Sequence, residues 1–395
     1  MYDISIKPQW TIRQGLDELP LPRLLALLMA VDEHGSLAAA CERSGVAYRH
    51  AWGLLKRAEA LFGSPLLQRT RGRRASLTPL AEKLVWADRR ITARLSPILA
   101  SLASELESEI ERAVSRSPAI LRIHASHGFA VETLRGFMLN AGIALDLQYR
   151  SSQDALASLA AGTCDIAGFH VPLGDYEAAT VRHYMRWLDP QTQQLISVSR
   201  RRQGLMVAGS NPKRITALAD LLRPEVRFIN RQRGSGSRLL FEMMLERQKI
   251  DARAIAGIDD CEYTHAAVAA YIASGMADAG FGIETPARQF KLSFIPLAVE
   301  RYFFVCRRDA LTQPLVQRML QTLSSADYRQ AINALPGYDP STSGALLDLQ
   351  TAFERWPRSG AGGSARGASA SRGSASGTST SGTSARRAPA SAANR

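Results

Sequence analysis

Two groups of residues in this 395-residue sequence have the types and spacing to do chemistry. The first is the run Asn230 to Arg238, NRQRGSGSR, which sets Arg231, Arg233 and Arg238 around Ser235, Gly236 and Ser237. A glycine-rich turn at the start of a helix exposes backbone N–H groups, and those favour an anion. The two serine hydroxyls add donors, and the guanidinium groups add charge in a fork suited to oxyanions. Ser126, His127, Ser152, His170, Thr264 and His265 stand at the ends of other strand-like runs and are further candidates to bind the same ligand. Each histidine taken alone fits a structural role as well as a ligand-binding one.

The second group is basic. Around the run VAYRHAWGLLKR, one helical face carries Arg49, His50, Gly53, Lys56 and Arg57, while Ala51, Leu54, Leu55, Ala58, Leu61 and Phe62 recur at helical spacing on the other. Trp52 is assigned to the core. Downstream, LLQRTRGRRASLT reads as a hairpin with Arg71 to Arg74 at its tip. Such arginines can straddle a phosphate backbone or enter a minor groove.

The net charge of +13 must be divided before it is used. Residues 357–395 hold six arginines and no acid, so they supply +6; Leu21 to Leu80 has nine Lys/Arg against four Asp/Glu, a net +5. The excess sits at the two ends, which suggests a polyanionic partner such as nucleic acid. The remainder has ordinary globular composition and exceeds one typical domain. No secretory leader or membrane-length apolar run is visible. Cys41, Cys164, Cys261 and Cys306 are scattered without metal spacing. We read them as reduced thiols of a cytoplasmic protein, and expect no metal and no cofactor.

The elements that must position these groups follow in order. Residues 1–20 read as a loose arm. Residues 21–82 form a compact basic unit: a leucine-rich helix ending at His34-Gly35, a short second helix capped by Ser36, a Ser44-Gly45 turn, a third helix over 48–62, and the hairpin. One long helix runs from Pro79 to about Arg116, capped by Thr78 with Pro79 in its first turn; residues 83–117 are its linker part, with Leu84, Ile91 and Ile98 at heptad spacing and Leu95 and Leu102 beside them. Pro97 is expected to kink or break it. Residues 118–336 alternate strand and helix as an α/β domain of two lobes, 337–356 add one short helix, and 357–395 are a disordered Gly/Ser/Ala/Arg tail. The fold class is therefore multidomain: an all-α winged helix-turn-helix with a linker helix, then a two-lobed α/β domain.

The segment GSLAAACERSGVAYRHAWGLLKRAEALFGSPLLQRTRGRRASLTPLAEKL resembles the reader domain of LysR-type regulators and, at VAYRHAW, the ModE-type molybdate regulators. The resemblance implies that Ser36, Tyr48, Arg49, His50 and Lys56 contact double-stranded promoter DNA, and that Arg69, Arg71, Arg73 and Arg74 form the wing. The downstream region resembles the periplasmic-binding-protein-like domain fused to such readers. It implies a small anionic effector between two lobes and a homodimer or homotetramer joined through the linker helix. Molybdate, tungstate or a molybdenum-related metabolite is the expected effector, with a small carboxylate such as formate as the alternative. The small oxyanion modules usual at the C-terminus of ModE-type proteins are missing.

Other classes fare worse. No GxSxG elbow, HExxH or carboxylate pair supports an enzyme. GSGS followed by Arg238 lacks the third glycine of a dinucleotide fingerprint. A DNA-architectural protein with a vestigial ligand domain is the remaining alternative.

Overall fold

The computed structural model describes residues 3–69, 75–114 and 119–353. The tail expected from residue 357 onward and the hairpin tip lie outside the described residues.

The N-terminal segment corrects the expected loose arm. Strands β1 (Thr11–Gln14) and β2 (Asp17–Pro20) pair antiparallel around Gly15, whose φ of 62° suits the tight turn. Leu19 is buried, Trp10 and Ile12 pack on the same core, and the Trp10 indole N–H donates to Asp88 at 2.9 Å. The alternation of Trp10, Ile12 and Leu19 is too short to stand out in the sequence.

Helices α1 (Pro22–His34), α2 (Leu37–Ser44) and α3 (Tyr48–Phe62) follow. Gly35 and Gly45 close α1 and α2 in the left-handed region, and Ser36 caps α2 by accepting from the Ala39 N–H. Ala51, Leu55 and Ala58 bury one face of α3. Strands β3 (Leu67–Arg69) and β4 (Ala75–Leu77) form the wing, anchored by the Leu66 N–H on Glu59 at 3.0 Å.

Helix α4 (Pro79–Val114) runs for 36 residues with Pro97 inside it, so of the expected kink or break the break does not occur. Packing on both sides of the proline outweighs its missing hydrogen bond. Before it, Trp86 packs on Phe290 and the Ala93 carbonyl accepts from Thr264. After it, Ser101 and Ser104 accept from the Tyr149 and Leu147 N–H groups at 2.9 and 2.8 Å. Those serines cover the open edge of the following domain's sheet, which would otherwise expose unpaired backbone.

That domain contains β5 (Leu121–Ala125), α5 (Phe129–Asn140), β6 (Leu145–Tyr149), α6 (Ser152–Ala160), β7 (Ile166–Pro172), α7 (Glu177–Tyr184), β8 (Gln193–Val207), β9 (Phe228–Arg231), α8 (Gly236–Arg247), β10 (Cys261–Glu262), α9 (His265–Ala273), β11 (Ala279–Ile283), α10 (Glu284–Gln289) and β12 (Ser293–Arg307). It continues with α11 (Pro314–Ser324) and α12 (Ala326–Asn333); after residue 337, besides the short helix α13 (Leu349–Ala352), come two short strands that were not expected, β13 (Tyr338–Asp339) and β14 (Leu346–Leu347).

The main sheet runs β10-β9-β11-β8-β12-β7-β5-β6. Strands β8 and β12, each 15 residues long, pair antiparallel and pass through both lobes. Parallel strands β5, β6 and β7 build the first lobe, and β9, β10 and β11 the second. Each lobe buries apolar clusters on its sheet faces, for example around Ile123, Leu147 and Phe304 in the first and around Phe228, Phe241 and Phe281 in the second. Gly204 sits beside the Pro296/Ala298 register shift of the β8–β12 pair, where a Cβ would lie 2.0 Å from the Ile295 carbonyl oxygen. The cleft between the lobes is thus floored by the middle of β8 and β12.

Candidate functional site

The floor of the cleft is a buried polar network. Glu300 on β12 is the register partner of Arg201 on β8, and the Arg201 Nε–H donates to Glu300 Oε1 at 2.5 Å. The Gln203 side-chain NH2 donates to the same oxygen at 2.9 Å and to Ser237 Oγ at 2.7 Å. Ser237 Oγ is in turn 3.4 Å from His265 Nε2. On the first-lobe wall, Ser126 Oγ lies 3.3 Å from Ser152 Oγ, which lies 3.4 Å from His170 Nδ1. The His170 ring stacks on Tyr302, with centroids 4.1 Å apart. Gly236, the first residue of α8, faces this wall: a Cβ there would sit 3.5 Å from His170 Cβ.

Arg231 closes the network. It is buried at the end of β9, and its Nη2 donates to the Tyr263 carbonyl at 2.9 Å. Its Nε and Nη1 have no hydrogen-bond partner within the described residues, and neither do His170 Nε2, His265 Nδ1 or Gln203 Oε1. Buried polar atoms without partners are costly, and several together mark a place built for something else.

Burial, then the neighbouring Arg201 and Arg231 charges, holds the His170 imidazole well below its usual value. Burial followed by Arg231 and Arg201 does the same to His265. Both rings are neutral at pH 7. Burial, aided by Arg201, pulls the Arg231 guanidinium down to about 9. Burial also opposes the charge on Arg201, yet Glu300 alongside outweighs it and the net shift is upward. Two guanidinium groups and one carboxylate leave the cleft with net positive charge, which an anion would balance.

Of the residues singled out in the sequence, Ser126, Ser152, His170, Arg231, Gly236, Ser237 and His265 come together here. The others do not. Arg233 is 85% exposed and pairs with Asp259 at 3.8 Å. Ser235 caps α8 by accepting from the Arg238 N–H, and the Arg238 guanidinium is taken up by Glu242 at 2.7 Å and by the Arg231 carbonyl at 3.2 Å. Thr264 caps α9 and donates outward to α4. His127 faces Glu132 and Tyr149 and lines a groove of about 1020 Å³ along α4, and it is not bonded into the buried network. Glu300, Arg201, Gln203, Ser199 and Tyr302 were missed. Their signal is period-two alternation: Ser199, Arg201 and Gln203 in one strand, and Glu300 and Tyr302 in the other.

The reader's outer surface is built by α3. Tyr48, Arg49 and His50 are exposed on its first turn. Lys56 is exposed too, with Nζ 2.9 Å from Glu59 Oε2 and 4.9 Å from the Trp52 ring centre. Trp52 is 45% exposed, which corrects its assignment to the core. Ser36 is occupied as the α2 cap. Arg69 lies in β3, while Arg71, Arg73 and Arg74 lie outside the described residues.

Residues 22–82 match the family model described as bacterial regulatory helix-turn-helix protein, lysR family. Residues 136–324 match the PBP superfamily domain. The uncharacterized protein YvgK of Bacillus subtilis is 33% identical over 203 residues, which are 51% of this chain and 64% of that protein. The chain therefore spans less than two thirds of that relative's length. An uncharacterized protein from the 5′ region of a 2Fe-2S ferredoxin gene in Clostridium pasteurianum is 32% identical over 99 residues, 25% of this chain and 88% of that protein. A structure of a Corynebacterium glutamicum OxyR mutant aligns over 76% of this chain and 92% of that one, with 14% identity and a TM-score of 0.38. Among the described residues, no single helix is long and apolar enough to cross a membrane, and no three His, Cys, Asp or Glu side chains gather as a metal site.

Proposed function

Because this chain belongs to the LysR-type helix-turn-helix proteins that carry a PBP-like domain, we propose that it is a cytoplasmic transcriptional regulator, not an enzyme. It binds duplex DNA through α3 and the wing, and it senses a small anion in the cleft. The observation that carries the effector assignment is the buried Arg231 guanidinium, with two nitrogens unpartnered beside two neutral histidines. An oxyanion such as molybdate or tungstate, or a small carboxylate such as formate, supplies the acceptor oxygens those donors lack.

The protein acts as a homodimer. Ile98, Leu102 and Leu106 are 55, 45 and 42% exposed and recur every four residues on α4. Leu84, the first of the heptad set, is buried in the reader core instead. A second copy of α4 packed on the 98–102–106 stripe would bury it and set two readers about one helical turn apart on DNA.

Thermal unfolding of the full chain with molybdate, tungstate and formate, together with DNA-binding titrations in the same solutions, tests this reading. A ligand present at ~100 times its Kd stabilises the native state by about 2.7 kcal/mol. Stabilisation by one of these anions with an altered DNA affinity supports the reading; no stabilisation by any of them refutes the proposed effector class.

A further inference from the structure

The exposed face of α3 carries an unusual surface. Tyr48 and Trp52 are 52 and 45% exposed, and their rings lie parallel within 9° with centroids 6.4 Å apart. Lys56 continues the stripe over the Trp52 ring, so positions 48, 52 and 56 share one line along the helix. Two large rings left in water forgo hydrophobic burial. The buried face of α3 is already supplied by Ala51, Leu55 and Ala58. Arg49, exposed and three residues before Trp52, and Lys56 flank the rings, so the apolar patch has basic side chains at its edge.

Gly53 lies beside Trp52 in the middle of α3 and is exposed. Its φ is not positive, and a Cβ there would meet nothing within 4 Å. The fold gives no reason for glycine at this position, and glycine weakens a helix interior relative to alanine. A surface that must come close to the α3 backbone from outside accounts for it.

An apolar patch with basic side chains at its edge matches the major groove, where phosphates line the edges and the thymine C5-methyl is the apolar group among the base edges. We propose that Tyr48, Trp52 and Gly53 form an apolar reading surface for thymine methyl groups in the major groove of duplex DNA. The proposal rests on α3 being the DNA reader and adds which chemical feature of the sequence it reads.

The test uses duplexes selected from a random pool by the full chain, then resynthesised with deoxyuridine at each thymine in turn, which deletes only the methyl group. Binding is followed by fluorescence anisotropy at fixed salt. Loss of one buried methyl weakens wild-type binding about threefold to fivefold at the contacted positions. Trp52→Ala keeps its Tm and binds thymine and deoxyuridine duplexes alike. Gly53→Ala raises Tm while weakening DNA binding about tenfold or more. The proposal is overturned by wild-type indifference to deoxyuridine, by Trp52→Ala retaining the discrimination, by Gly53→Ala binding as tightly as wild type, or by tighter binding to the single strand than to the duplex. Failure to select any duplex overturns the reader assignment itself, and the proposal with it.

Discussion

Thr264 Oγ1 donates a hydrogen bond to the Ala93 carbonyl of α4 at 3.0 Å while accepting one from the Ala267 N–H at 2.9 Å. The preceding residue, Tyr263, accepts from Arg231 through its carbonyl at 2.9 Å. Arg94 on α4 also lies 3.7 Å from Glu262. One short segment of the second lobe therefore touches both the cleft guanidinium and the helix that carries the reader. The first lobe grips the same helix farther along, through Ser101 and Ser104. Any change in lobe closure bears on α4 at two points.

Replacing Thr264 by valine removes the α9 cap and the link to α4 together. The cap alone contributes about 0.5–2 kcal/mol. Urea unfolding should show a loss of that order. Effector affinity should stay within about twofold, whereas the effect of effector on DNA affinity should shrink. Unchanged coupling in Thr264→Val would show that this link does not transmit the signal.

Arg231→Gln keeps much of the side chain's bulk but removes the charge and the free guanidinium nitrogens. Hydrogen bonds to charged groups contribute about 1.5–3 kcal/mol, so anion affinity should fall roughly tenfold to hundredfold. Calorimetric titration with the stabilising anion measures this. The fold should lose little, because burial already disfavours the charged guanidinium.

Glu300→Gln should behave in the opposite way. It leaves Arg201 as a buried charge without its carboxylate, a loss of about 3–5 kcal/mol. Equilibrium unfolding should register this even without effector. A variant as stable as wild type would mean that the Arg201–Glu300 pair is not the keystone of the cleft floor.

Stability should also depend on pH through His170 and His265. Both folded-state values are lowered by burial and neighbouring guanidinium charge, so the unfolded chain binds more protons between those values and the ordinary value of 6.5. The contribution is therefore intact above pH 6.5 and is lost progressively as pH falls below it, at up to about 1.4 kcal/mol per pH unit for each ring. Unfolding curves from pH 8 to pH 5 should show the slope for wild type and a reduced slope for His170→Gln and His265→Gln.

Much of this architecture is legible in the sequence because local chemistry and fold agree there. Ser36, Gly45 and the Ala51–Leu55–Ala58 spacing announce the reader, and the glycine turn before Arg238 announces α8. The misses arise where distant parts of the chain overrule local preference. Pro97 is carried inside a helix held from both sides. Trp52, apolar by type, is left outside because α3 has enough small apolar residues to fill its own interface. The cleft floor was hidden for another reason: Arg201, Gln203 and Glu300 lie in long strands nearly 100 residues apart, and only the β8–β12 register brings them together. Ser235, Arg238 and Thr264 resemble ligand-binding groups in sequence, yet their hydrogen bonds are taken up by caps and ion pairs.

The central claim is that the first turns of α3 present positive charge to duplex DNA, and charge reversal at Arg49 tests it most directly. The side chain is exposed, so Arg49→Glu should fold like wild type. On a selected duplex its affinity should drop by about tenfold or more. The slope of log affinity against log salt should become shallower by about 0.9 for each phosphate that the variant no longer neutralises. Equal affinity and an equal salt slope for the variant and the wild-type chain would contradict the account.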